Sequence, residues 1–168
     1  AIDFDDHHPV MTDWLAPVKR SDDMRLTITH DHIDPAANQL VYCPQQFILG
    51  IGCARGCDSD ELYDFVTAEL CRQNVNQAAI AAIASVDLKA DEPAILALAE
   101  RLDVPFRVFS VAELEKQTAN LANPSDVVFA EIGTYGVAEA AALEAAMLQT
   151  GRAQPSLFTE KQKTKNAT

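Results

Sequence analysis

The stretch Phe47-Ile-Leu-Gly-Ile-Gly-Cys-Ala-Arg-Gly-Cys57, running straight into Asp58-Ser-Asp-Glu-Leu62, constrains the fold more than any other part of this sequence. Apolar side chains through Ile51 predict a buried strand. Gly50, Gly52 and Gly56 let the backbone turn tightly and come close to a ligand. Asp58 or Ser59 then caps a helix, with Glu61 three residues after Asp58 as in a capping box. Strand, glycine loop and helix N-terminus in succession form a candidate anion site, because unbonded N–H groups and the helix dipole favour negative charge there. Arg55 adds a formal cation inside the loop. The plainer alternative is a connection whose glycines serve only a tight turn. The spacing, G-x-G-x-x-x-G, is one residue longer than the dinucleotide fingerprint, and no Gly-Lys-Ser/Thr follows, so the loop is not a P-loop either.

From there strand and helix patterns alternate. A first helix is predicted over about residues 59–73, then an alanine-rich helix near 76–81 and a strand over 83–86. Residues 92–102 place Ile95, Leu98, Ala99 and Leu102 at helical spacing, and Pro105 to Phe109 reads as a strand. Ser110 followed by Glu113 is a capping box that starts the next helix. Pro124 and Ser125 open a short helix ended by Gly133, Val137 to Gln149 forms a helix closed by Gly151, and Leu157-Phe158 reads as a strand. The expected class is α/β, a three-layer α/β/α domain around a mainly parallel or mixed central sheet. Residues 1–45 differ. Ala1 to Pro9 is acidic and unpatterned, Lys19 to Asp23 is a charged break, and Leu26–Thr29 and Leu40–Tyr42 are candidate short strands. A short irregular N-terminal extension, or the tail of a preceding domain, is expected ahead of a domain at 46–168.

At 168 residues and 48% hydrophobic content, the chain can bury one good core. Its formal net charge of −12 argues against nucleic acid or an anionic membrane as partner. That charge is unevenly placed. From Arg152 onward, Arg152, Lys161, Lys163 and Lys165 face a single acid, Glu160, a local +3 that leaves −15 on the preceding residues. Such a segment is either a solvated tail or a group of cations gathered around a polyanionic ligand that the acidic remainder repels elsewhere. No run of eighteen apolar residues and no signal-peptide pattern is present, and Cys43, Cys53, Cys57 and Cys71 are unpatterned for a disulfide scaffold. Reduced thiols in a cytoplasm are the expectation.

Other constellations carry less. Cys53 and Cys57 flank Arg55, a setting that lowers a thiol pKa, yet C-x-x-x-C is not the oxidoreductase motif and spectator thiols are expected. His30-Asp-His32, with His7 and His8 upstream, lacks a matched partner at zinc spacing, so no metal is expected. From Phe47 onward there is no histidine at all, which weighs against histidine-based acid–base catalysis.

Beyond the first loop stand Ala84-Ser-Val-Asp-Leu-Lys-Ala-Asp-Glu-Pro93, Phe109-Ser-Val-Ala-Glu-Leu114, Gly133-Thr-Tyr-Gly-Val-Ala-Glu-Ala-Ala-Ala-Leu143 and Lys161-Gln-Lys-Thr-Lys-Asn-Ala-Thr168. In this order and at these separations they closely resemble the cobalamin-biosynthesis family of CobE and the C-terminal domain of CbiG, over roughly residues 46–168. In that family the Lys-rich segment leads through Asn-Ala-Thr into a last strand. Here the sequence stops at Thr168, so that strand is either shortened or continued in a longer natural chain.

The resemblance implies a macrocyclic tetrapyrrole as ligand, a precorrin or cobalt-precorrin bearing many acetate and propionate carboxylates. It implies other cobalamin-pathway enzymes, such as precorrin methyltransferases, as partners. No resident cofactor is expected, with cobalt entering only as part of the tetrapyrrole. Such a ligand calls for a broad pocket, an apolar floor and several cations or N–H donors. The matching positions are Gly50, Gly52, Cys53, Arg55 and Gly56 in the first loop. Asp87 and Lys89 follow a predicted strand, at the carboxyl edge where open α/β sheets place ligands. Gly133, Thr134 and Gly136 form a second glycine turn before a helix, and Lys161 and Lys163 close the site if the tail folds over. The favoured reading is a binding module that holds and hands on a precorrin. The alternative is a cobalt-precorrin-5A hydrolase, opening a lactone with release of acetaldehyde, in which Asp87 or Glu139 activates water. Glu139, in the first turn of its helix, alternatively orients the loop. CbiG-type enzymes carry an additional N-terminal domain that residues 1–45 cannot supply, which favours binding. A generic nucleotide-binding domain is disfavoured by the fingerprint spacing and by the lack of an acidic residue ending a second strand.

Overall fold

The computed structural model describes residues 2–4, 24–151 and 155–163. Ahead of the glycine loop, β1 (Ile2–Phe4), β2 (Arg25–Ile28) and β3 (Gln39–Tyr42) form a small parallel sheet in that order, with Leu26 opposite both Ile2 and Leu40. This region is thus more regular than its sequence pattern. Strands of three or four residues are too short for alternation to show, and their parallel pairing is decided by contacts remote in sequence. The segment is also tied to the turn after the first long helix. Asp31 bridges Val75, His32 N–H donates to the Asn74 carbonyl at 3.2 Å, and Asn76 N–H donates to the His30 carbonyl at 2.8 Å.

The main sheet holds β4 (Phe47–Gly50), β5 (Ile80–Val86) and β6 (Phe106–Phe109), all parallel and adjacent in sequence order. Parallel neighbours need a crossover, and α1 (Ser59–Arg72) and α2 (Pro93–Leu102) supply the two. Both helices cover one face, where Leu62, Val66, Leu70, Ile83, Ile95 and Leu98 form a buried cluster. The opposite face is covered by α3 (Val111–Glu115) and α5 (Val137–Thr150), with Ala84, Val86, Phe109, Leu114, Ala140 and Ala141 between them. Helices on both faces make the expected three layers. As the central strand, β5 is buried on both sides and therefore reads as a continuous run of small and apolar residues rather than as an alternation. Fully burying a side chain such as Ile83 or Leu98 stabilises by about 1.5–3 kcal/mol.

The helix ends follow local chemistry. Asp58 caps α1 by accepting from the N–H groups of Asp60 and Glu61. Ser110 and Glu113 form the reciprocal capping box of α3. Ser125 caps α4 (Asp126–Ile132), which Gly133 ends at φ +88°, and Gly151 ends α5 at φ +67°. Two predicted elements differ. Residues 76–81 are not an alanine-rich helix but a 3₁₀ turn, Gln77–Ala79, capped by Asn76 and followed at once by β5. Pairing with β4 and β6 overrides the helical preference of the alanines. Leu157-Phe158 is not a strand. Phe158 instead packs on Phe47 and His30, at ring-centroid distances of 4.7 and 5.7 Å, without joining the ladder. His7, His8, Arg152 and Lys165 lie outside the described residues. Among those described, no helix is long and apolar enough to cross a membrane.

Candidate ligand site at the carboxyl edge of the sheet

Because β4, β5 and β6 are parallel, the loops that leave their carboxyl ends all rise from one edge. The chain covers one face with α1 and α2 and then switches to the other, so that α5 packs back on β4 and β5. Open α/β sheets bind ligands outside the carboxyl ends of their strands.

The first wall is the glycine loop. Gly50 serves packing: a Cβ there would lie 1.8 Å from the Ala138 carbonyl oxygen in α5. Gly56 adopts φ +70°, and its N–H donates to Glu92 Oε1 at 3.0 Å. Gly52 is different, since its nearest neighbour would be Val137 at an ordinary 3.8 Å and its φ is not positive. Of the three glycines expected to present N–H groups to a ligand, Gly56 has its N–H committed to Glu92, and Gly50 is packed against α5. Arg55 also has local partners. Nη1 donates to Asp91 Oδ1 at 2.5 Å and Nη2 to the Leu88 carbonyl at 2.7 Å.

These bonds tie the loop to the turn Asp87–Lys89, where Asp87 is exposed and Lys89 half-buried. The hub is Glu92, fully buried, with Lys89 Nζ 3.6 Å and Arg55 Nη1 3.8 Å from Oε2. Glu92 was legible only as a helix start. Its one further signal is an acid directly before Pro93, at an N-cap position where it makes no capping bond. Burial pushes the Cys53 thiol up to about 11 and raises that of Cys57 as well, which favours the neutral thiol at both.

The second wall is the N-terminus of α5. Gly136 occupies its cap position without a side-chain capping bond, and Thr134, in the turn before it, is fully buried with its hydroxyl unpartnered among the described residues. The first N–H groups of a helix left without a cap attract negative charge. Glu139 joins the surrounding segments. Its Oε2 accepts from Ala122 N–H at 2.9 Å and Asn123 N–H at 3.0 Å, and its Oε1 from Asn123 Nδ2 at 3.0 Å and Lys161 N–H at 3.1 Å. Burial opposes its charge, but the donors of Asn123, Lys161 and Ala122 outweigh it and hold the carboxyl below the usual range. The tail thus folds over, bringing the Lys161 backbone to the first turn of α5, with Lys163 two residues further on. Burial, reinforced by the Lys163 charge and opposed by Glu139, lowers the pKa of Lys161.

Apolar surface adjoins both walls. A cavity of about 170 Å³ between β4, α1, α5 and the tail is lined by Phe47, Leu49, Ile51, Ala138, Phe158 and Lys161 among others. Pockets for drug-sized ligands run to about 300–1,000 Å³, so this one admits a side arm and not a macrocycle. Ahead of the second wall, Phe129 of α4 is 41% exposed and stacks on Tyr135, in the turn before α5, with centroids 4.4 Å apart. The loop at 122–125 links this aromatic pair to the tail, since Ser125 N–H donates to the Tyr135 carbonyl while Asn123 and Lys161 share Glu139.

The sequence model of the family described as "Cobalamin synthesis G C-terminus" matches residues 47–168, from the first residue of β4 onward. The chain belongs to this family. Among its relatives, Protein CobE of Sinorhizobium sp is 42% identical over 96 residues, 57% of this chain and 62% of that protein. Cobalt-precorrin-5A hydrolase of Priestia megaterium is 31% identical over 106 residues, 63% of this chain and 28% of that enzyme. The chain spans less than two thirds of the length of either. Among solved structures, CobE, "a protein from the cobalamin (vitamin B12) biosynthetic pathway", superimposes with a TM-score of 0.68 at 35% identity, covering 74% of this chain and 87% of that one. The cobalamin biosynthesis protein chiG of Agrobacterium tumefaciens gives 0.52 at 26% identity, with 71% and 91% covered. The resemblance drawn from five short motifs and the α/β architecture are both borne out.

Proposed function

We propose that this chain binds a precorrin or cobalt-precorrin in cobalamin biosynthesis, holding the macrocycle across the carboxyl edge of the β4–β6 sheet and passing it on unchanged. The observation that carries this reading is the junction at Glu139, which pins the basic tail against an uncapped helix N-terminus. Lys161, Lys163 and the N–H groups of α5 are suited to the peripheral carboxylates, and Gly52 lets a ligand approach the backbone. The Phe129–Tyr135 pair offers an aromatic face to the macrocycle. Cobalt would arrive inside the ligand, and pathway enzymes such as precorrin methyltransferases would receive it.

Binding is favoured over hydrolysis because Glu139 already accepts four hydrogen bonds and has little capacity left to take a proton from water. Asp87, exposed after β5, is the remaining acid for the hydrolase reading. The test is an absorbance and thermal-shift titration with pathway precorrins, with and without cobalt, followed by product analysis. Saturable binding and a raised melting temperature with an intact macrocycle support a carrier. Lactone opening with acetaldehyde release would establish the hydrolase, and absence of binding to every intermediate would remove the site.

A further inference from the structure

We infer that Asp91 is a built-in competitor for ligand carboxylates at Arg55 and so sets the affinity of the site; this rests on the polycarboxylate-binding reading above. Bidentate recognition of a carboxylate needs two N–H groups of the guanidinium fork. Of the five N–H groups of Arg55, one on Nη1 is held by Asp91 Oδ1 at 2.5 Å and one on Nη2 by the Leu88 carbonyl at 2.7 Å, so a carboxylate that bridges the two terminal nitrogens must displace Asp91 from Nη1. The lock is built to yield. The Arg55 and Asp91 side chains are 60% and 80% exposed, so water competes with the pair and a displaced Asp91 keeps its hydration. Glu92 is its opposite, fully buried and bound to Gly56 N–H, and it keeps the loop in place while Asp91 lets go. An attached carboxylate competes at an effective concentration in roughly the millimolar range, which excludes dilute small carboxylates. A macrocycle already anchored at Lys161 and Lys163 presents its next carboxylate on similar terms.

Uroporphyrin, a tetrapyrrole with acetate and propionate arms, serves as the probe, titrated by absorbance against the natural chain, Asp91→Asn, Arg55→Ala and the double variant. Asp91→Asn is expected to bind about two- to fivefold more tightly, the range set by the strength of an exposed ion pair. That gain should vanish in the Arg55→Ala background, as direct coupling requires. A gain that persists there reflects only the loss of one negative charge from an acidic protein and overturns the inference. Unchanged or weaker binding by Asp91→Asn, with the natural chain still binding, overturns it too and leaves the binding reading standing. Binding by Asp91→Asn alone supports the latch, and binding by none of the four removes both proposals. Asp91→Glu, which keeps the charge, should bind like the natural chain.

Discussion

Gly50, the last residue of β4, and Gly52, in the loop that follows, answer to different demands. At Gly50 a methyl group would meet the Ala138 carbonyl oxygen, and neither backbone can retreat without opening the β4–α5 contact. Gly50→Ala is expected to destabilise the fold by about 3 kcal/mol or more, read by urea unfolding. Gly52→Ala should change stability by less than about 1 kcal/mol. If a ligand approaches the backbone at Gly52, this variant lowers affinity while its unfolding midpoint stays put. Lys161 supplies a second residue-scale prediction. Its pKa is lowered from the ordinary 10.5, chiefly by burial, so it loses its charge at a lower pH than a free lysine. The unfolded chain holds that proton more tightly, so the free protein gains stability as pH rises through this window. Anion affinity moves the other way and should fall over the same window, below pH 10.5. Lys161→Arg, charged throughout, should flatten that fall in a titration between neutral and alkaline pH. The roles of Asp91 and Glu92 were not legible in advance, because they exist only once Arg55 and Gly56 are brought across from 36 residues away.

Among the elements, those with strong local punctuation were legible: α3 by its capping box, α4 between Ser125 and Gly133, and α5 up to Gly151. Those decided by pairing were not. The alanines at 78 and 79 look helical alone, and Leu157-Phe158 looks like a strand until its side chains find Phe47 and His30. The tail is held at Glu139 by hydrogen bonds and not by a ladder, which makes that carboxylate its anchor. Glu139→Gln replaces an acceptor with a group that carries its own N–H donors among four donors, and should destabilise by about 2–3 kcal/mol. Limited proteolysis should then cut after Gly151 faster than in the natural chain. Unchanged cleavage would mean that packing of Phe158, and not Glu139, holds the tail. The Glu139 contribution is also pH-dependent. Because its carboxyl is held below the usual range, the stabilisation is present above the unfolded carboxyl pKa and is lost as pH falls through the folded one.

On the scale of the whole molecule, two electrostatic effects oppose each other. The chain carries −12 overall, whereas the tail pinned at the first turn of α5 by its Lys161 N–H carries Lys161 and Lys163. A polycarboxylate approaching from solution meets the net charge first, since at low ionic strength the screening length reaches about 30 Å at 0.01 M. Only within a few ångströms do the local cations dominate. Raising salt to about 0.15 M shortens that length to about 8 Å, which removes the long-range repulsion while leaving much of the close attraction. The association rate of a tetrapyrrole polyanion should therefore rise with added salt over this range, while the dissociation rate also rises as the close ion pairs weaken. Stopped-flow mixing with uroporphyrin separates the two rates. An association rate that falls with salt would show that the basic tail steers ligands from a distance, and that the acidic remainder faces away from the path of approach. Lys163→Glu tests the same balance from inside: it should slow association only modestly, because a shift of two charges, from −12 to −14, changes little at long range, and should speed dissociation more strongly, because the proposed site loses a cation close to the ligand.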